Sequence, residues 1–205
     1  MLVGLGNPGV EYEASRHNVG FLAVEVLADR AGAALTRRRH RSLYGRGALH
    51  GEEILLVKPL TFMNESGSAI SRWQQALGLA PSSIIVIHDD LDLPISLVRI
   101  RGGGGHGGHK GVRSIVEALG CGDFLRVKVG IGRPRSGHDP VTHVLGPFEK
   151  VERGEIEGAV ERAADAVEMV LRDGLQAARN RYNVRATRPQ AGTDHAGGGR
   201  GGELV

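Results

Sequence analysis

Residues 83–88 carry the pattern that most limits this chain's fold. Ile84, Ile85, Val86 and Ile87 run without a polar side chain on either face. Such a strand needs cover on both sides, as a central strand of a parallel sheet has when helices lie above and below it. The rest of the chain supplies those layers. Leu2-Val3-Gly4-Leu5 reads as a first short buried strand. Asn18 then precedes Val19, Leu22, Ala23, Val26 and Leu27, one face of a helix with Asn18 as N-cap and Gly32 as its stop. Residues 43–50 and 53–58 read as two strands joined near Gly51 and ended by Pro59, and Thr61-Phe62-Met63-Asn64 opens a helix through Ile70, Trp73 and Leu77. A strand over 97–101 runs into a glycine run, after which Val112, Ile115, Val116 and Leu119 recur at helical spacing. Leu125, Val127, Val129 and Ile131 alternate with Arg126 and Lys128, which predicts a half-exposed strand with a basic outer face. Residues 149–173 read as a long amphipathic helix using Ile156, Val160, Val167 and Val170.

This alternation predicts the α/β class: a single-domain three-layer sandwich, its sheet twisted, mixed and mostly parallel, with helices on both faces. The expected domain is 1–187. Residues 188–205, rich in glycine and poor in apolar side chains, are expected to be a disordered tail. The 205 residues suit one domain, and no apolar run approaches the roughly 20 residues of a membrane span. Neither a secretory signal nor a membrane association is expected. One cysteine, Cys121, rules out internal disulfides and suits a reducing cytoplasm. The net charge is only +3, but residues 30–46 hold six arginines and His40 with no acid, while carboxylates crowd into 149–173. That asymmetry fits a polyanion binder and equally a merely solvated surface.

Gly4-Leu5-Gly6-Asn7-Pro8-Gly9 satisfies a dinucleotide fingerprint, yet its chemistry is wrong for one. The helix starts only near Asn18, Pro8 lacks an amide donor, and Glu25 and Asp29 fall inside the helix instead of ending a second strand. Open parallel sheets gather functional groups where strands end and helices begin, which singles out Asn7, Tyr12, His17, Asn64, Asp89, His109 and Lys110. His17 beside a helix start is a natural general base, with Asp89 to fix its tautomer, though a capping histidine would look the same. Asp89, Asp90 and Asp92 invite a magnesium reading, but successive carboxylates leaving a strand point in different directions. His106 and His109 lack a third zinc ligand, and the glycines around them suit close approach to a phosphate or base. There is no serine-nucleophile elbow, and Ser66-Gly67-Ser68 sits in a helix.

Taken jointly, seven segments resemble the bacterial peptidyl-tRNA hydrolase family, in its order and spacing, over about residues 1–185. They are Val3-Gly-Leu-Gly-Asn-Pro-Gly-Val-Glu-Tyr12, Arg16-His-Asn-Val-Gly20, Lys58-Pro-Leu-Thr-Phe-Met-Asn64, His88-Asp-Asp-Leu-Asp-Leu-Pro94, Gly103-Gly-Gly-His-Gly-Gly-His109, Val129-Gly-Ile-Gly-Arg-Pro134 and Ala178-Arg-Asn-Arg-Tyr-Asn183. The resemblance implies cleavage of the ester between a peptide and the ribose of tRNA, without metal or cofactor, by a cytoplasmic monomer. By motif position it implies His17 as base and Asp89 as its supporting carboxylate. Asn7 would help distinguish N-blocked peptidyl-tRNA from free aminoacyl-tRNA, Tyr12, Phe62 and Asn64 would line the site for the peptide and the tRNA 3′ end, and Arg101 and Lys128 would clamp the tRNA 5′ phosphate. One position departs from the family pattern: Lys110 stands where the family has asparagine. Lysine only donates and carries charge, so the same groove admits a second reading, a catalytically weak RNA-binding paralogue that keeps the fold.

Overall fold

The computed structural model describes residues 1–183. Strands β1 (Leu2–Gly4), β2 (Arg37–Arg39), β3 (Ser42–Leu49), β4 (Glu52–Pro59), β5 (Ile85–Asp90), β6 (Val98–Gly102) and β7 (Leu125–Gly130) form one sheet in the order β2-β3-β4-β1-β5-β7-β6. The four central strands β4, β1, β5 and β7 are mutually parallel, while β3 and β6 run against them. Helices α1 (Val19–Arg30) and α5 (Arg153–Tyr182) cover one face, and α2 (Ser66–Leu77) and α3 (Lys110–Leu119) the other. A short helix α4 (Pro140–Leu145) lies beyond the strand ends. The mixed, mostly parallel three-layer sandwich is therefore the fold. The expected boundary at 187 and the tail 188–205 lie outside the described residues.

The period-2 geometry of a strand explains the two cores. Leu2, Leu56, Ile85 and Ile87 point to α1 and α5; their chain neighbours Val3, Leu55, Val57 and Val86 point to Ile70 and Trp73 of α2 and Ile115 of α3. Each such buried side chain contributes roughly 1.5–3 kcal/mol relative to exposure. The fingerprint-like glycines belong to this packing. A Cβ on Gly4 would strike the carbonyl of Gly20, and one on Gly20 would strike the carbonyls of Leu5 and Ile87. They let α1 approach the sheet and hold no phosphate turn.

Several expectations are corrected. Strand β7 is interior, paired with β5 and β6, so Arg126 is buried and Lys128 half-buried; its basic face is largely covered instead of lying open to solvent. Leu22 sits on the outer side of α1, 38% exposed, and Phe21 and Val24 take the core face in its place. Asn18 precedes α1 but makes no side-chain cap. Arg30 is not part of a free basic patch: it pairs with Glu161, Asp165 and Glu168 and fastens α1 to the acidic side of α5. Helix α5 runs past 173, broken at Gly174 (φ 85°), and ends on Asn183. The Asn183 carboxamide accepts from the Ile100 amide (2.8 Å) and donates to its carbonyl (2.9 Å), closing the otherwise open edge of β6. Strand β2 and helix α4 have no counterpart in the sequence reading.

Candidate active site

Strand β1 is where the chain order reverses, with β4 on one side and β5 on the other. The carboxyl ends of β1 and β5 open there into a cleft of about 1060 Å³, the place such sheets use for ligands. His17 reaches it from a single 3-10 turn, Arg16–Asn18, just ahead of α1. That turn is pinned from far away in sequence. The Arg16 amide donates to the Gly146 carbonyl (2.9 Å), and its buried guanidinium donates to Glu152 Oε2 (2.6 Å) while lying over the Phe148 ring. Asp89 leaves the end of β5, buried.

Asp89 Oδ1 faces two imidazoles, His17 Nδ1 at 2.7 Å and His109 Nε2 at 2.8 Å. The proton on His109 follows from the backbone. His109 is the N-cap of α3, and its Nδ1 accepts from the amides of Gly111 (3.1 Å) and Val112 (3.2 Å). With Nδ1 an acceptor, the neutral ring carries its proton on Nε2 and donates it to Asp89. His17 donates from Nδ1, which leaves its Nε2 lone pair for the cleft. Burial alone would raise the Asp89 carboxyl; His109 and His17, by charge and hydrogen bond, outweigh it and hold Asp89 well below the usual carboxylate range. His88, one residue back, donates from Nδ1 to the Asp89 carbonyl (2.6 Å) and sets its ring edge-on to His109 at 4.5 Å.

The floor is set by a second network. The Asn7 amide donates to Asn18 Oδ1 (2.7 Å), Asn18 Nδ2 donates to the Asn7 carbonyl (3.1 Å), and Asn7 Oδ1 accepts the Met63 amide (2.7 Å). This loop of bonds ties the end of β1 to the turn Met63–Glu65 that carries Asn64. Asn64 is exposed in the cleft, Phe62 is 55% exposed at its mouth and Tyr12 is half-buried along it. Lys110, first residue of α3, also lines the cleft, exposed and without a hydrogen bond among the described residues. Its charge reaches Asp139, the N-cap of α4, whose carboxyl is held low chiefly by the Thr142 amide and hydroxyl it accepts from, with Lys110 adding to this.

At the far end Arg101, Arg126 and Lys128 come together on β6 and β7, with Arg101 opposite Arg126 in register. Arg126 donates to the carbonyls of Gly103, Gly104 (3.0 Å) and Gly105 (2.7 Å). The first half of the glycine run is thus gathered around a buried guanidinium instead of standing open to a phosphate. Lys128 pairs with Asp90 and Arg133 with Asp92. The three carboxylates of the Asp89-Asp90-Leu91-Asp92 run therefore point to three separate partners, which is no magnesium arrangement.

All nine residues expected from the sequence line one cleft. His109, singled out in the sequence only by its position before a helix, lines it too and is the second partner of Asp89, while Arg16, Asn18 and Arg126 hold the site in place and were given no such part by sequence reasoning. For His109 a local signal existed: an imidazole that ends a glycine run and stands just before a helix is placed to cap it. His17, Asp89 and His109 also offer ligand atoms close enough together for a cation. The amides on His109 Nδ1 require the Nε2 proton, so that nitrogen has no lone pair to give, and the donor set does not fit a metal.

Fold and site together define an α/β protein with a carboxylate-held histidine at the strand ends of an open cleft. The comparisons specify which one. Residues 1–190 match the family model for peptidyl-tRNA hydrolase, and the chain belongs to that family. It is 44% identical over 185 residues to the peptidyl-tRNA hydrolase of Syntrophotalea carbinolica, covering 90% of this chain and 97% of the relative. It is 48% identical over 184 residues to that of Rhodococcus opacus, covering 89% and 97%. The crystal structure of the Acinetobacter baumannii peptidyl-tRNA hydrolase superposes with a TM-score of 0.84 at 38% identity, covering 89% of this chain and 93% of that one. These relatives favour hydrolysis over the binding-only reading.

Proposed function

We propose that His17 is the general base with which this chain carries out its family's reaction, hydrolysis of the ester joining a peptide to the ribose of tRNA. The observation that carries the assignment is the proton order around Asp89 Oδ1, which leaves His17 Nε2 as the free lone pair in the cleft. His17 Nε2 takes a proton from water as the water oxygen attacks the ester carbonyl; Asp89 stabilises the imidazolium. Asn64 donates to the developing oxyanion. The tetrahedral intermediate expels the ribose oxygen, which takes the proton back from His17. Asn7, held by Asn18 and Met63, presents its Nδ2 to the acyl group, and Tyr12 and Phe62 flank the peptide and the 3′-terminal nucleotide.

The acceptor arm docks on the Arg101–Lys128 side. Its 5′ phosphate displaces Asp90 from part of the Lys128 charge, and affinity falls steeply with salt. Lys110 adds a cation where the 3′ end enters. Among the described residues no helix is long and apolar enough to cross a membrane; we place the protein in the cytoplasm, with its tRNA, as a monomer.

The test is release of labelled N-acetyl amino acid from tRNA with EDTA present. Wild type turns over, and His17→Ala loses about 10²–10⁴-fold in kcat, the range of a general base, with tRNA binding intact. Full turnover by the variant would refute the assignment.

A further inference from the structure

Strands β2 and β3 join through a two-residue turn, His40-Arg41, whose residues lie at φ 48° and 57°. That turn geometry favours Asn-Gly, and an arginine in it is strained. The strain presents Arg41 to α2, where its guanidinium donates to Glu65 Oε2 (2.7 Å) and Ser68 Oγ (3.0 Å). Arg37 pairs in register with Tyr44, which packs on Trp73 of α2, and Arg39 lies over the same indole at 5.9 Å. Arg37 and Arg39 therefore face the α2 side of the sheet edge. Arg72 follows Glu65 and Ser68 on one face of α2. Arg37, Arg39 and Arg72 are exposed and make no ion pair among the described residues.

These side chains stand outside the cleft lining but next to its Phe62–Asn64 end, to which the Arg41 turn is joined through Glu65. From Asn64 to Arg72 is about 12 Å along the turn and helix, the reach of about four extended residues. Strand β2 lies five strand spacings from β7, about 24 Å away, at the edge opposite the cations assigned to the acceptor arm. With tRNA on the β7 side and the ester at His17, the substrate atoms beyond Phe62 and Asn64 are peptide.

We propose that Arg37, Arg39 and Arg72, set by the strained Arg41 turn, form a subsite for the peptide moiety that favours acidic side chains three to five residues before the ester. The inference rests on the function proposed above. Arginine offers carboxylates paired donors in a fixed fork. Each exposed pair is worth roughly 1.5- to 5-fold in binding, so three give about tenfold, screened by salt.

The experiment compares KM and kcat for three substrates: N-acetyl-aminoacyl-tRNA, and N-acetyl-pentapeptidyl-tRNA with either aspartate or serine at the third to fifth residues from the ester. Wild type shows a KM about tenfold lower for the aspartate peptide than the serine peptide, a gap that closes at high salt. Arg37→Gln/Arg39→Gln/Arg72→Gln removes the gap and leaves kcat and the KM for N-acetyl-aminoacyl-tRNA unchanged. Equal KM for the two peptides in wild type overturns the proposal without any variant. A variant KM that rises as much for N-acetyl-aminoacyl-tRNA also overturns it and makes the surface an RNA contact. Failure of wild type to hydrolyse even the short substrate would instead sink the proposed function.

Discussion

Asp89 holds two imidazoles through one oxygen, and each imidazole uses a different nitrogen. The difference decides their parts. His109 spends Nδ1 on two helix amides and is left with only a proton to offer; His17 has no such tie and keeps a lone pair. Lys110, beside His109, follows a different logic. A cation in the first turn of a helix opposes the macrodipole and costs about 0.3–1 kcal/mol, and Lys110 stands there at the cleft wall. Lys110→Asn is therefore expected to stabilise the fold slightly. Its KM for N-acetyl-aminoacyl-tRNA should rise with little change in kcat, since the Asp89 cluster does not involve the lysine. Steady-state kinetics beside urea denaturation checks both, and a large fall in kcat would give Lys110 a part in the chemistry itself.

At the scale of elements, the hairpin β3–β4 and helices α1, α2 and α3 were legible because each carries its own periodicity and stop signal. Strand β7 was misread for a reason local sequence does not contain. Arginine alternating with valine has the pattern of a half-exposed strand, but here the polar face turns into the cleft and Arg126 becomes the anchor of residues 103–105. Removing a buried charged donor costs roughly 1.5–3 kcal/mol per charged hydrogen bond, and much less where the freed carbonyl regains water, as those of the exposed Gly104 and Gly105 do. Arg126→Ala should lower stability by about 2–4 kcal/mol and speed amide exchange in the glycine run ahead of global unfolding. Unchanged exchange there would mean that the loop is held by its own turns.

On the scale of the whole molecule, the site taxes folding as pH falls. Burial first, then the neighbouring His109, hold the His88 pKa well below its ordinary value of about 6.5. At pH 7 His88 is neutral in both folded and unfolded chains. Below about 6.5 the unfolded chain takes up a proton that the folded chain refuses, so stability declines with falling pH until the lowered folded value is reached. One such group gives a slope of about 1.4 kcal/mol per pH unit. Asp89 acts at lower pH: its depressed carboxyl stabilises the fold above the unfolded value near 3.9, and that contribution disappears on further acidification. Urea denaturation between pH 7 and 5 should show His88→Phe losing stability less steeply than wild type, and parallel curves would exclude His88 as the source.

The amino-acid sequence by itself determined the α/β class and most of the elements, because hydrophobic period and turn chemistry are properties of contiguous residues; strand ends singled out part of the cleft, and the resemblance to a family added Phe62, Arg101 and Lys128. Only the tertiary structure decided which nitrogen of which histidine is free, where Arg126 and Asn183 spend their hydrogen bonds, and that Arg16 is held by Glu152. Those outcomes join groups far apart in the chain. A hydrogen bond's donor and acceptor are assigned only when every neighbour that competes for the same lone pair or proton is in place.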